Sequence, residues 1–145
     1  MEFRELDKKH LDKVSEIFVK AFNSPPWSEE WTKESAYARI SQMINCDGSY
    51  GLVAFEDSKL VGMILGRKEQ FYNGINFEVK EFCVDLSVGS KGIGTQLYIE
   101  LEERLRAVGI KEIFLNTCRS NKTIGFYEKQ GFKVSESIIV MNKTV

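Results

Sequence analysis

Apolar residues recur at helical spacing near the start of the chain, which predicts a first amphipathic helix. Its buried stripe is formed by Leu11, Val14, Ile17, Phe18, Ala21 and Phe22. Pro25 and Pro26 end this helix, because proline cannot continue a helix and restricts the residue before it. A second helix is predicted to begin near Thr32, a good N-cap, and to end before the turn at residues 47–48.

Strand patterns follow these helices. The three apolar segments in the middle of the chain are separated by turn residues, Asn73-Gly74 among them, and they predict an antiparallel meander. The strand candidates of the first two thirds of the chain are residues 1–6, 50–56, 60–71 and 75–86.

The last third of the chain alternates between helical and strand patterns. A long helix from about Gly92 to Val108 is followed by a strand at 111–118, a short helix at 123–130, and a final strand or hairpin at 132–143. The predicted order is βααβββαβαβ within one domain, residues 1–145. A meander that feeds one β-α-β crossover predicts an α/β (α+β) fold, with a mixed, mostly antiparallel sheet and helices on both faces.

Composition narrows the class of protein. The 145 residues are 43% apolar and 28% charged, as in a soluble globular protein. The net charge of −1 does not suggest a nucleic-acid surface, and no apolar run reaches the length of a membrane span or a signal peptide. Cys46, Cys83 and Cys118 form no CxxC pair, so we expect no metal site, no disulfide framework and a cytoplasmic protein.

A glycine-rich segment, VDLSVGSKGIGTQL at residues 84–97, connects a strand to the long helix. It fails the dinucleotide fingerprint because Leu97 stands where a third glycine is required, and it fails the P-loop because Lys91 precedes the glycine pair. Gly92 and Gly94 would still let backbone amides converge on a phosphate at the helix start. A plain surface turn at a sharp strand-to-helix corner is the alternative interpretation.

A second segment, SNKTIGFYEKQGF at residues 120–132, lies about 25 residues further on. Together the two segments resemble the signatures of the GNAT superfamily of acetyl-CoA-dependent N-acetyltransferases, and the predicted element order resembles that of the family. The first segment departs from the family pattern at Gly89, where glutamine or arginine is usual. Gly89 therefore lacks a side-chain contact to the pyrophosphate.

The resemblance implies a binding site for acetyl-CoA. Backbone groups of the strand end would contact the pantetheine arm, and the loop would hold the pyrophosphate. Tyr127 would protonate the leaving thiolate, and the backbone N–H of Val84 would stabilise the oxyanion. The cofactor-binding residues implied are Phe82, Cys83, Val84, Gly89, Ser90, Lys91, Gly92, Ile93, Gly94, Thr95, Asn121 and Tyr127.

Two carboxylates compete for the role of general base that deprotonates the amine. Strand alternation places Glu81 and Cys83 on one face of the fourth strand, and Glu78 with Phe82 on the other. Family members use a carboxylate at either position, so that both Glu81 and Glu78 stay candidates, directly or through a water.

The acceptor is less defined by the sequence. In the family it lies between the first two helices and their loop, here SPPWSEEW, whose Glu29 and Glu30 favour a cationic amine. The candidate lining residues are Trp27, Trp31, Phe71 and Tyr72. We expect a polyamine or aminoglycoside-like acceptor; the alternatives are a protein or peptide acceptor and a non-catalytic acyl-CoA sensor. Family analogy makes a homodimer possible, and no nucleic-acid or membrane partner is expected.

Overall fold

A computed structural model describes residues 1–89 and 92–145. Ser90 and Lys91, both expected to contact the pyrophosphate, lie outside the described residues. The strands are β1 (Glu2–Glu5), β2 (Ser49–Glu56), β3 (Lys59–Phe71), β4 (Gly74–Val84) and β5 (Ile113–Leu115). The helices are α1 (Leu11–Phe22), α2 (Lys33–Asn45), α3 (Ile93–Ala107) and α4 (Asn121–Lys129).

The strands form one sheet in the order β1-β2-β3-β4-β5. Neighbouring strands are antiparallel except β4 and β5, which are parallel. The parallel pair follows from the α3 crossover, since a helix is needed to return the chain in the same direction. The predicted α/β fold with a mixed, mostly antiparallel sheet is confirmed.

Helices cover both faces of the sheet. On one face α1 and α2 bury Val14, Phe18 and Ile40 against Met63 and Leu65 of β3. On the other face, α3 buries a second cluster that includes Leu97, Tyr98, Leu101 and Leu105 together with Phe77 of β4. Within the described residues, no helix combines the length and apolar character that crossing a bilayer requires.

A β-bulge interrupts the pairing of β3 with β4. Leu65 pairs with Glu81 but the next residue, Gly66, pairs with Val79, which leaves Lys80 as an extra residue on β4. Val79 and Phe82 both belong to the cluster under α3, with two residues between them instead of one. A bulge of this kind bends its strand and shifts the side chains beyond it to the other face.

The final predicted strand is not formed. Residues 132–143, all of them described, contain no strand, and Ile138, Ile139 and Val140 of this segment are exposed. Local alternation gives strand propensity only, whereas a strand also needs an edge to pair with and a face to bury. β5 is likewise shorter than the predicted 111–118. His10 is buried, and its Nδ1 accepts a hydrogen bond from the backbone N–H of Asp7 at 3.1 Å.

Gly66, which pairs with Val79 next to the bulge, provides a test of the close contact between β3 and β4. A Cβ added to Gly66 would lie 2.1 Å from the carbonyl oxygen of Glu78 and 2.6 Å from the ring of Phe77. Because the nearest atom is backbone, we expect Gly66→Ala to lower the free energy of unfolding by roughly 3 kcal/mol, measured by urea denaturation.

Gly125→Ala is the matched control. A Cβ at Gly125, inside α4, meets nothing within 4 Å. Alanine is favoured over glycine in a helix interior, so this variant should gain about 0.5–1 kcal/mol. If the Gly66→Ala variant were as stable as the wild type, the close contact between Gly66 of β3 and the backbone of Glu78 in β4 would be contradicted.

Candidate functional site

The candidate site begins where β4 and β5 separate. The parallel pairing holds for Phe77–Ile113, Glu78–Phe114 and Val79–Leu115, and it ends there. β4 continues to Val84, while residues 116–118 form no strand, so residues 80–84 have no neighbouring strand on that side among the described residues. We call the opening between residues 80–84 and 116–118 the β4–β5 cleft.

The backbone of β4 presents polar groups to this cleft. The N–H of Asp85 donates to the carbonyl of Val61 on β3 at 2.7 Å. Successive residues of a strand direct their amides to opposite sides. The N–H of Val84 therefore points away from β3 and toward the cleft, where it is free to donate to a ligand.

The N-terminus of α3 lies next along the chain. Gly92 is its N-cap, with φ 70° and ψ 20°, and Gly89 has φ 72°. Residues other than glycine rarely adopt these backbone angles. The space around both positions is open, since a Cβ at either one would meet nothing within 4 Å. The first amides of α3, from Ile93 to Thr95, have no acceptor within the helix, and they suit an anion.

Aromatic side chains connect α3 to β4 and α4. A Cβ built on Gly94 lies 3.6 Å from the ring of Phe126 and 3.7 Å from that of Phe82, which are ordinary van der Waals distances, so Gly94 lies directly beside both rings. Tyr127 of α4 meets Phe82 edge-on, with 6.4 Å between ring centroids. Burial raises the pKa of Tyr127 to about 12. The phenol therefore keeps its proton at neutral pH and can donate it. Asn121, the first residue of α4, follows the Ser120 N-cap and is exposed.

The carboxylate of Glu81 is largely buried, with 11% of its side chain exposed. Its Oε1 accepts a hydrogen bond from Nε of Arg39 on α2 at 2.9 Å. Burial raises the pKa of Glu81, the Arg39 guanidinium opposes that shift, and the negative charge of Glu29 reinforces it. A carboxyl with a raised pKa is a better proton acceptor than an ordinary one.

Glu78 differs from Glu81 in its surroundings. The bulge at Lys80 carries Glu81 to the face of Glu78, so the expectation from strand alternation that they occupy opposite faces is wrong. Nζ of Lys80 lies 2.6 Å from Oε1 of Glu78. Glu78 is also paired with Phe114 where β4 and β5 are still joined. Of the two carboxylates, Glu81 alone is beside the open part of the β4–β5 cleft.

The four aromatic residues expected to line an acceptor site are not brought together. Trp31 packs edge-on against Phe18 with centroids 4.8 Å apart, and Trp27 packs on Phe22 at 5.4 Å. Nε1 of Trp31 also donates to Glu29 at 3.3 Å, which places its polar edge beside the carboxylate that acts on Glu81. Phe71 and Tyr72 lie at the β3–β4 turn, about 20 Å along the strand from Glu81.

Sequence reasoning missed Arg39. Its partner is 42 positions away, so no local pattern joins the two. The one available signal was its place on α2, three residues after the buried Ala36 and beside the buried Ile40. A charged residue at the border of a buried stripe reaches the sheet, where it needs a partner.

Metal or thiol chemistry has no support from the described residues. They contain no group of three side chains able to hold a metal ion. Cys83 is buried in the cluster under α1 and α2, and burial raises the pKa of its thiol. It packs as an apolar residue, and by the same alternation its backbone amide points toward β3.

Comparison with known proteins agrees with this geometry. The model of the acetyltransferase (GNAT) family matches residues 12–132. The uncharacterized protein YxbD of Bacillus subtilis (strain 168) is 30% identical over 131 residues, which are 88% of this chain and 72% of that protein. YdhI of the same organism is 28% identical over 126 residues, 86% of this chain and 68% of that protein.

Solved structures share the fold. A possible acetyltransferase from Clostridium difficile 630 superposes with a TM-score of 0.86 at 16% identity, covering 99% of this chain and 97% of that one. An aminoglycoside acetyltransferase, meta-AAC0020 from an uncultured soil metagenomic sample, in complex with sisomicin, gives a TM-score of 0.76 at 17% identity, covering 99% and 95%.

The electrostatic balance at Glu81 can be tested by titration. Arg39→Gln removes the charge and hydrogen bond that hold the Glu81 pKa down, so we expect that pKa to rise further, measured by ¹³C NMR of the carboxyl carbon. Since the folded-state pKa is already above the unfolded value, the variant should also lose stability as the pH rises through the Glu81 pKa.

Arg104→Gln is the control for the titration. It breaks a comparable pair, Arg104 Nε to Glu100 Oε1 at 2.8 Å on α3, and should leave the Glu81 titration unchanged. An Arg39→Gln protein whose Glu81 titrates as in the wild type would refute the role of Arg39.

Proposed function

This chain belongs to the acetyltransferase (GNAT) family, and we propose that it transfers the acetyl group of acetyl-CoA to a primary amine of a small molecule. The observation that carries the proposal is the β4–β5 cleft, which has a buried carboxylate, a protonated phenol and the open N-terminus of α3 along its walls. Acyl transfer from a thioester to an amine needs a general base, a general acid and a binding site for the acyl donor. Each of these has a candidate residue here.

The residues present fit acetyl-CoA as the acetyl donor. Its diphosphate would bind the first amides of α3, where the open space at Gly89 and Gly92 lets backbone approach an anion. Its extended pantetheine arm would lie along β4, whose amides on the cleft side have no strand partner. Acetyl-CoA supplies an activated acetyl group; the protein supplies position and proton transfer.

Glu81 is the proposed general base. An alkyl amine is protonated at neutral pH, with a pKa near 10.4, and only its neutral form attacks a carbonyl. The carboxylate would take the ammonium proton directly or through one water, and its raised pKa narrows the gap to the amine. The N–H of Val84 would donate to the acetyl oxygen as negative charge develops there. Glu78 is the weaker candidate because it lies where β4 and β5 are still paired, and not beside the open part of the cleft.

Tyr127 is the proposed general acid. The leaving thiolate has a basicity close to that of an ordinary phenol. Burial weakens Tyr127 as an acid, but the same burial disfavours a bare thiolate and makes it a stronger proton acceptor. Burial raises the pKa of this tyrosine to about 12, which keeps the proton in place until the thiolate forms. Asn121, at the exposed start of the same helix, is proposed to contact the cofactor arm.

The proposed acceptor is a cationic small molecule such as a polyamine or an aminoglycoside. Support comes from the negative charges of Glu29 and Glu81 on the side of the sheet covered by α1 and α2, and from the polar edge of Trp31 beside them. The names of two structural neighbours, which are aminoglycoside acetyltransferases, point to the same class. A cytoplasmic location stays a prediction of the cysteine usage.

The direct test is release of the CoA thiol from acetyl-CoA with a panel of polyamines, aminoglycosides, amino acids and peptides. We expect turnover with polycationic small amines, and acetylated amine as the product by mass spectrometry. Turnover only with peptides would replace the acceptor class. Calorimetric binding of acetyl-CoA without thiol release by any acceptor would support a sensor instead.

The assignment of the base predicts a difference between two conservative variants. Glu81→Gln should lower kcat by about 10²–10⁴-fold and abolish the rise of rate with pH, because the proton acceptor is lost. Glu78→Gln, the matched control on the same face, should keep that rise. The pH–rate profiles of both variants decide the matter: a normal profile for Glu81→Gln with a flat one for Glu78→Gln would reverse the assignment.

A further inference from the structure

A pocket separate from the β4–β5 cleft lies where the chain enters α1, next to the turn between β2 and β3. Its volume is about 510 Å³, which is within the range of small-molecule sites. Its apolar walls, Phe55 and Leu60, belong to the core cluster under α1 and α2, whereas α3 covers the opposite face of the sheet. We call it the α1 pocket. Its polar walls are Lys9, His10, Lys13, Ser58 and Lys59.

The walls of the α1 pocket carry positive charge and, among the described residues, no carboxylate. Lys9 and Lys13 have carboxylate neighbours outside the walls: their Nζ atoms lie 3.5 Å from Asp7 and 3.1 Å from Glu16. About half or more of each of these four side chains is exposed. Since exposed ion pairs are weak, both ammonium groups can turn toward a ligand in the pocket.

His10 supplies a buried hydrogen-bond donor to the same pocket, with 7% of its side chain exposed. Because Nδ1 accepts from the N–H of Asp7, the ring proton of the neutral imidazole is on Nε2. Nε2 makes no hydrogen bond within the described residues. It is not fully enclosed, since the only fully enclosed side-chain nitrogen or oxygen there without a partner is Oδ1 of Asn76. A buried donor of this kind needs a partner from outside the chain.

Positive charge also surrounds His10. The guanidinium of Arg4 lies 4.4 Å above the ring of Phe55, whose centroid is 6.0 Å from that of His10. Burial lowers the pKa of His10; Asp7 opposes this shift, and the charges of Lys9 and Arg4 reinforce it. The imidazole therefore stays neutral at neutral pH and keeps its proton on Nε2. Donors and cations without a carboxylate suit an anion and not a cation.

We propose that the α1 pocket binds the phosphate group of a small organic phosphate, at a site distinct from the β4–β5 cleft. The ammonium groups of Lys9 and Lys13 would balance the charge of the dianion. Nε2–H of His10 would donate to one phosphate oxygen. The α1 pocket shares none of its residues with the proposed cofactor and acceptor sites, so phosphate binding here does not depend on acetyl transfer.

The remaining walls indicate the kind of phosphate. Lys59 is less available than the other two lysines, because its Nζ lies 3.1 Å from Asp85, whose side chain is only 11% exposed. The hydroxyl of Ser58 can donate one more hydrogen bond. Phe55 and Leu60 offer an apolar surface that inorganic phosphate would leave bare. We therefore expect a phosphate ester with an apolar part.

Phenyl phosphate is the probe, and its binding is followed by ³¹P NMR at about pH 7.5, where a phosphate ester is mostly a dianion. His10 is the one histidine of the sequence, so its imidazole signals in ¹H–¹⁵N NMR report on this pocket. We expect saturable binding that shifts the Nε2 signal, and the shift should persist in excess CoA. Benzoate, which has the same ring and a single charge, should bind at least about tenfold more weakly.

Two variants remove the phosphate contacts separately. Lys9→Gln/Lys13→Gln removes two charges from the walls. His10→Asn keeps an acceptor for the N–H of Asp7 but has no atom in the place of Nε2. Each variant should weaken the binding of phenyl phosphate at least about tenfold, because hydrogen bonds to a charged group are lost. Circular dichroism checks that each variant is folded.

Lys68→Gln/Lys111→Gln is the matched control, since it removes the same charge at the other end of the sheet. Lys68 lies about 30 Å along β3 from Lys59, and Lys111 lies beside Gly74. This variant should bind phenyl phosphate as the wild type does. Four results would each overturn the proposal: no shift of the His10 signal, a shift that CoA abolishes, benzoate bound as tightly as phenyl phosphate, or equal losses of affinity in the control and in Lys9→Gln/Lys13→Gln.

Discussion

β4 keeps its parallel neighbour for only three residue pairs, after which one side of the strand has peptide groups without a strand partner. In the interior of a sheet this would be costly, since buried backbone groups need hydrogen bonds. Here the unpaired stretch lies between the N-terminus of α3 and the aromatic cluster of α4, where an extended ligand can supply the missing partners. The cleft depends on this separation, and so does the access of a ligand to the N-terminus of α3 and to the two candidate proton-transfer groups.

Burial and charge act against each other at Glu81. Burial favours the neutral carboxyl, Arg39 favours the carboxylate, and Glu29 shifts the balance back toward the neutral form. The net result is a carboxyl whose pKa stays above its usual value although a guanidinium lies 2.9 Å away. A cationic acceptor that approached Glu29 and Glu81 would meet two negative charges and one positive charge. In the proposed mechanism the same balance would serve both proton transfer and the choice of acceptor.

The fold could be predicted from sequence where local patterns decide structure: the stripe of α1, the Thr32 cap of α2, the meander and the α3 crossover. The glycine loop and the Phe126-Tyr127 pair likewise pointed to the correct family. The one mark of the bulge at Lys80 in the sequence is a shift in the apolar alternation between Val79 and Phe82, and an alternation continued unbroken from Glu78 to Glu81 passes over it. The Arg39 contact is non-local, and residues 132–143 have strand propensity but form no strand.

The central proposal is that the β4–β5 cleft binds acetyl-CoA for acetyl transfer. A crystal structure of the protein with bound CoA tests this most directly. We predict that the diphosphate binds the amides of Ile93 to Thr95 and that the pantetheine arm lies along residues 82–84. The sulfur should lie next to Tyr127, in the part of the β4–β5 cleft from which Glu81 can be reached. CoA bound elsewhere on the sheet, or a sulfur far from both side chains, would contradict it.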